Sequence, residues 1–269
     1  MTNAPRQTKN QRREEAREAA RLAREKNLKK QRLLKWLVPT VASVAILAIV
    51  AGVIWAVIAF QPPPKQEAGP ANMLSDGIVF ESDGSGGVQP VQTAAIAKGE
   101  DPVPTEAREG LLNIVTYIDF ACPHCKTFEE AYGPTITSLV ASGQATLEVR
   151  PVAFINQASV RGANAAACVA NFAPEKFLDV SDAIFARLGE GSSPSFFGDI
   201  VKSAGVDDGD VADCVRGDSF TPWVEAATAR SGVRGTPTVI VNGTQLDLAN
   251  QDFNDFLASE IAKLGGGAQ

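Results

Sequence analysis

The chain has 269 residues, 45% of them hydrophobic, enough to bury at least one substantial core. Charge is divided unevenly: residues 1–36 carry 12 Lys and Arg against 4 Glu, a balance of +8, while the remainder carries −14, for a net charge of −6. Nucleic-acid binding is a poor reading of the basic end, because a long uncharged apolar run follows it directly.

That run extends from Leu37 to Phe60, 24 residues without a charge. As a helix it would measure on the order of 36 Å, enough to cross a hydrocarbon core. A cleavable signal peptide is disfavoured, since the charged lead and the apolar run are both too long and no small-x-small cleavage site follows. One transmembrane helix is therefore expected at 37–60, with Pro39 in its first turn and Trp36 and Trp55 near the interfaces. The basic residues before it place the 1–36 tail in the cytoplasm, solvated and near anionic lipid, and residues 61–269 outside. All four cysteines fall in the outer part, the compartment where disulfides persist.

Residues 61–110 are expected to form a stalk, stiffened by Pro62-Pro63-Pro64, and an irregular Gly- and Pro-rich connection, with a short first strand at 77–80. Residues 111–120 (LLNIVTYIDF) predict a buried strand. A helix follows over about 123–141, then a Ser142-Gly143 break and a strand at 145–154, a β-α-β unit with parallel strands. Residues 157–231 carry helical spacing in several short segments and predict a helical insertion. Strands at 237–241 and 244–248, on either side of Asn242-Gly243, predict a type I′ hairpin, and an amphipathic helix over about 252–264 closes the domain. The α/β domain is thus assembled from 111–156 and 232–264.

The chemistry is concentrated in Cys122-Pro123-His124-Cys125, where the buried strand gives way to the helix. A sulfur at a helix N-terminus faces unpaired backbone N–H groups and the positive end of the dipole, which favour a thiolate. A thiolate that is stable is also a good leaving group, so a Cys122–Cys125 disulfide should be readily reduced by other thiols. A zinc site needs about four ligands, and this motif offers three at most, so no metal is expected. Attachment of c-type haem needs a histidine after the second cysteine, where Lys126 stands. Cys122 is the candidate nucleophile and Cys125 the resolving partner. Pro123 suits the first helical position. His124, the single histidine, is the candidate stabiliser of the Cys122 thiolate. Cys168 and Cys214, 46 residues apart and without a C-x-x-C neighbour, allow a second redox pair or a permanent structural bridge; the bridge is preferred.

Phe120-Ala121-Cys122-Pro123-His124-Cys125, Phe128-Glu129-Glu130 and Gly235-Thr236-Pro237-Thr238, in this order of elements, resemble the thioredoxin fold, and within it the membrane-anchored DsbA-like thiol:disulfide oxidoreductases. The resemblance covers roughly residues 76–264 and implies a thioredoxin fold with an inserted helical subdomain. It implies that Thr236 and a cis Pro237 face the cysteines and align an extended substrate. It also implies no tight organic cofactor, and reoxidation by a membrane quinone reductase of DsbB or vitamin K epoxide reductase type. One departure stands out: the buried acid that thioredoxins and DsbA place six residues before the first cysteine is Thr116 here. Asp119, three residues before Cys122, is the nearest carboxylate and the candidate for proton transfer.

The expected function is introduction of disulfide bonds into reduced exported proteins by dithiol–disulfide exchange. The alternatives are a reductase or isomerase with the same site, or a membrane-tethered chaperone module without turnover.

Overall fold

The computed structural model describes residues 68–266 and, before them, six helical residues, Arg21, Arg24, Lys26, Ile49, Val50 and Gly52. The expected tail at 1–36, span at 37–60 and triple-proline stalk therefore lie almost wholly outside the described residues. Among those described, no helix is long and apolar enough to cross a membrane.

The sheet has six strands: β1 (Ile78–Ser82), β2 (Val88–Pro90), β3 (Leu112–Ile118), β4 (Ala145–Pro151), β5 (Thr238–Val241) and β6 (Thr244–Gln245). Their order is β2-β1-β4-β3-β5-β6. Only β3 and β4 are parallel, from Leu112 opposite Ala145 to Ile118 opposite Pro151. The crossover between them is α1 (Pro123–Ala141). Placement of β3 between β4 and β5 fits its composition, because a central strand favours the apolar residues Leu112, Ile114, Val115 and Ile118, with Asn113, Thr116 and Tyr117 between them. The hairpin β5–β6 turns at Asn242 and Gly243, both at positive φ, as the type I′ turn demands.

Between β4 and β5 lie α2 (Gln157–Phe172), a 3₁₀ turn (Pro174–Lys176), α3 (Phe177–Ala186), α4 (Pro194–Ser203), α5 (Gly209–Arg216) and α6 (Thr221–Arg230). Helix α2 is the axis of this insertion. It starts at a capping box, with the Asn156 side chain accepting from Ala158 N–H and Ser159 N–H and Ser159 returning the bond. Residues 162–170 (GANAAACVA) are all buried, since small side chains let neighbouring helices close in on every face. The Cys168–Cys214 disulfide joins α2 to α5, with the Cα atoms 5.8 Å apart. The final helix α7 (Phe253–Gly266) runs two residues past the expected end.

Three expectations need correction. Residues 82–110 are not wholly irregular: β2 pairs with β1, and Ile96 is buried. The segment before β1 is strapped to the helical insertion. Asn72 donates to the Ala170 carbonyl at 2.8 Å, and Arg230 grips Asp76 through two 2.6 Å contacts while Trp223 Nε1 donates to the same carboxylate. No periodicity announces such a strap, because its partners are distant in sequence. Second, β4 ends at Pro151 rather than 154, since the next amides turn off the sheet: Ala153 N–H donates to Thr228 Oγ1 and Phe154 N–H to Asp119 Oδ2. Third, β6 stops at Gln245, just before a turn in which Asp247 accepts from the Ala249 amide and the Asn250 side chain.

Candidate active site

The end of β3 and the start of α1 carry the cysteines. Cys122 occupies the N-cap position with extended φ and ψ of −90° and 115°, and Pro123 holds the first helical position. Both cysteines are free thiols, Cys122 4% and Cys125 0% exposed. The Cys122 side chain makes no capping hydrogen bond to the helix; its Sγ donates to the Thr236 carbonyl at 3.3 Å. A protonated sulfur is a donor and seeks a carbonyl, whereas the helix amides offer only N–H groups.

Thr236 precedes a cis bond to Pro237, in the loop leading into β5. Antiparallel pairing of β5 with β3 brings this loop to the end of β3, so two segments 114 residues apart meet at Cys122. Cys125 lies beneath, its Sγ accepting from the Asp119 backbone N–H at 3.4 Å. Burial pushes the Cys125 thiol far above its ordinary value, against the opposing pull of that amide and of the Thr236 side chain. Cys125 thus holds its proton firmly.

His124 is exposed and faces a groove of about 680 Å³. Thr236, Pro237, Phe128, Tyr132 and Leu248 are among the residues that line it. Phe128 and Tyr132, one helical turn apart on α1, pack against Phe253 at centroid distances of 5.3 and 4.8 Å. Sequence reasoning missed this aromatic group, although the i, i+4 spacing was the available signal.

Asp119 is fully buried, and both carboxylate oxygens are occupied by backbone donors. Oδ1 accepts from Ala121 N–H and Oδ2 from Phe154 N–H, each at 2.8 Å. Thr116, at the position of the expected family acid, is 1% exposed, and its hydroxyl has no hydrogen-bond partner among the described residues. It lines a cavity of about 410 Å³ between the sheet, α1 and α3 that also receives Glu129, Asp182 and the partnerless hydroxyl of Ser181. Burial, and then the nearby Asp182 carboxylate, push the Glu129 carboxyl up to about 7. Asp182 is raised by burial and by Asp179. Sequence reasoning did not single out Glu129 as an ionisable group, because its surroundings come from α3, about fifty residues downstream.

Helix α2 approaches the site closely at Gly162, where an added Cβ would lie 2.6 Å from Phe120 Cβ. Phe120 in turn packs on Phe185 of α3, with ring centroids 5.1 Å apart. Cys168 and Cys214 belong to the insertion and join each other, apart from the Cys122–Cys125 motif.

A family model described as Thioredoxin matches residues 107–258. No curated protein matches the chain. Among solved structures, the reduced disulfide bond oxidoreductase DsbG of Mycobacterium tuberculosis is 30% identical, with a TM-score of 0.50, covering 58% of this chain and 78% of its own. Oxidised DsbA of the same organism is 27% identical, with a TM-score of 0.54, covering 70% and 92%. BdbD of Bacillus subtilis, 18% identical with a TM-score of 0.52 and covering 74% and 98%, shares the fold. With a family match over more than half its length and a Cys-Pro-His-Cys turn facing a cis-proline loop, the chain belongs to the thioredoxin family and is a DsbA-like protein disulfide oxidoreductase.

Proposed function

We propose that the protein introduces disulfide bonds into reduced exported proteins, with Cys122 as the exchanging sulfur and Cys125 as its partner. The observation that carries the reading is the contrast between the two thiols. Cys122 sits at a helix N-cap, 4% exposed and bonded to Thr236, which lines the groove, whereas Cys125 is 0% exposed and burial raises its thiol. In the oxidised enzyme, a substrate thiolate attacks Cys122 Sγ. The Cys122–Cys125 bond breaks, and Cys125 leaves with the electron pair and takes up a proton. A second substrate thiolate then attacks the substrate sulfur of the mixed disulfide, and Cys122 leaves as a thiolate at the N-terminus of α1. The substrate loses two electrons and gains a disulfide; the enzyme ends as the dithiol.

The Thr236 carbonyl, 3.3 Å from Cys122 Sγ, offers an acceptor to the backbone of an extended substrate, and His124 flanks the same groove. Asp119 enters this reading through its two amide bonds, and no step above routes a proton through it. The basic 1–36 segment and the uncharged 37–60 run support a single-pass membrane anchor with the catalytic domain extracytoplasmic. Reoxidation then falls to a membrane quinone reductase of DsbB or vitamin K epoxide reductase type, which accepts two electrons from the dithiol.

Trapping tests the proposal. Cys125→Ala removes the resolving thiol, so exported proteins should accumulate as mixed disulfides on Cys122, and Cys122→Ala should abolish both trapping and oxidation of a reduced peptide. Oxidase activity that survives Cys122→Ala overturns it.

A further inference from the structure

We infer that Asp119 is a positioning residue whose carboxylate fixes the Cys-Pro-His-Cys turn and ties it to the loop after β4, and through this geometry sets the redox equilibrium of the cysteine pair. The inference rests on Cys122 and Cys125 being the exchanging sulfurs.

Four hydrogen bonds converge on this one residue. Its carbonyl accepts from Cys122 N–H at 2.9 Å, and its N–H donates to Cys125 Sγ at 3.4 Å. Its carboxylate accepts from Ala121 N–H and from Phe154 N–H, both at 2.8 Å. The residue is 0% exposed, so no water competes for these bonds. The backbone of Asp119 therefore touches both cysteines, and its side chain decides where that backbone lies. The anchor is firm on the far side as well, because the neighbouring Ala153 N–H is held by Thr228 of α6 and Asn156 begins the capping box of α2.

A buried carboxylate that accepts from an amide at each oxygen is fixed in place by them, and among the described residues neither oxygen is hydrogen-bonded to a sulfur. Its action on the cysteines is geometric. Breaking and remaking the Cys122–Cys125 bond moves Cys122 relative to Cys125, and the Asp119 clamp is attached to both ends of that motion. When the clamp is loosened, Cys122 is no longer held at the head of α1, and the dithiol state loses more than the disulfide, whose covalent bond holds the turn by itself.

Asp119→Asn and Asp119→Ala separate geometry from charge. Both remove the negative charge; Asn keeps one acceptor oxygen and Ala keeps none. The readout is the equilibrium enzyme dithiol + oxidised glutathione ⇌ enzyme disulfide + two reduced glutathione, followed by alkylation of the dithiol. We expect Asp119→Ala to shift the constant about tenfold toward the disulfide relative to Asp119→Asn, about 30 mV for a two-electron couple. The rate of Cys122 alkylation by iodoacetamide should fall in the same order. Equal constants for Asn and Ala overturn the inference, because charge or proton transfer would then be the role. Unchanged constants with lowered melting temperatures also overturn it, because the residue would then be purely structural. Should Asp119→Ala not fold, the wild-type protein supplies the test. The Ala121 and Phe154 amide resonances should both move when the pair is reduced, and a Phe154 amide indifferent to redox state refutes the coupling. A wild-type protein that fails to equilibrate with glutathione sinks the proposed function together with this inference; wild-type equilibration without a difference between variants sinks this inference alone.

Discussion

Glu129 is a half-buried acid whose cost can be measured. Its carboxyl is raised from 4.5 to about 7, first by burial and then by Asp182 across the cavity between α1 and α3. The folded protein therefore binds this proton more firmly than the unfolded chain does. Below pH 4.5 the group is protonated in both states and costs nothing. As pH rises from 4.5 to about 7 the unfolded chain ionises first, and stability falls; above that interval the loss is complete. Each pH unit is worth about 1.4 kcal/mol, so the whole interval approaches roughly 3 kcal/mol for a fully desolvated group. Glu129 retains partial exposure, and water screening reduces the figure to about 2 kcal/mol. Glu129→Gln removes the charge while keeping size and polarity. Urea unfolding of the variant and the wild type, at half-unit steps from pH 4 to 8, should show equal stability at the acid end. The variant should then gain steadily, reaching about 2 kcal/mol by pH 8. A variant advantage that is independent of pH, or that shrinks as pH rises, would refute the assignment of a raised Glu129.

Two further substitutions probe how the insertion supports the site. Gly162→Ala places a Cβ 2.6 Å from Phe120 Cβ, two residues from Cys122. The helix propensity gain of about 1 kcal/mol is outweighed by an overpacking cost of about 1–3 kcal/mol. A net loss of about 1 kcal/mol in chemical denaturation is expected, together with slower peptide oxidation; wild-type stability would show that α2 does not press on the site. Replacing both Cys168 and Cys214 by Ala opens a loop closed over a separation of 46 residues, a loss of about 4 kcal/mol in the chain-entropy picture. Stability should drop by that order while the glutathione equilibrium of the other pair stays in place, and a shifted equilibrium would mean that the bridge takes part in exchange.

The central β-α-β unit was legible because its signals are local. A β-branched run, Pro123 at a helix start, Asn-Gly between two short strands and the apolar spacing of α7 each act within a few residues. The pair Cys122 and Cys125 was legible for the same reason. What escaped is whatever depends on residues brought together from far apart. The strap at 69–76 is invisible because Asn72 and Asp76 find their partners about a hundred residues or more later. The environment of Glu129 is invisible because α3 supplies Asp182. Asp119 was legible as a carboxylate three residues from a cysteine, which suggests proton transfer; the two amides that its oxygens accept from were not. The second acceptor bond, to Phe154, becomes visible only once β4 runs parallel to β3 and turns back over it.

The insertion is therefore more than a lid set on a finished site. Its helices enter the architecture of the cysteine turn at two independent points. Gly162 of α2 and Phe185 of α3 bracket Phe120, which leads into Cys122. Thr228 of α6 holds the loop whose next amide grips Asp119. A thioredoxin sheet already supplies the strand, the helix N-terminus and the proline loop. What the five helices add is a rigid back wall, so that the two ends of the disulfide are referred to a common frame while the bond opens and closes. On this argument, a substitution in α2 or α6 far from sulfur should disturb the redox equilibrium more than one of equal thermodynamic cost in β1 or β2, which lie at the edge of the sheet beyond β4.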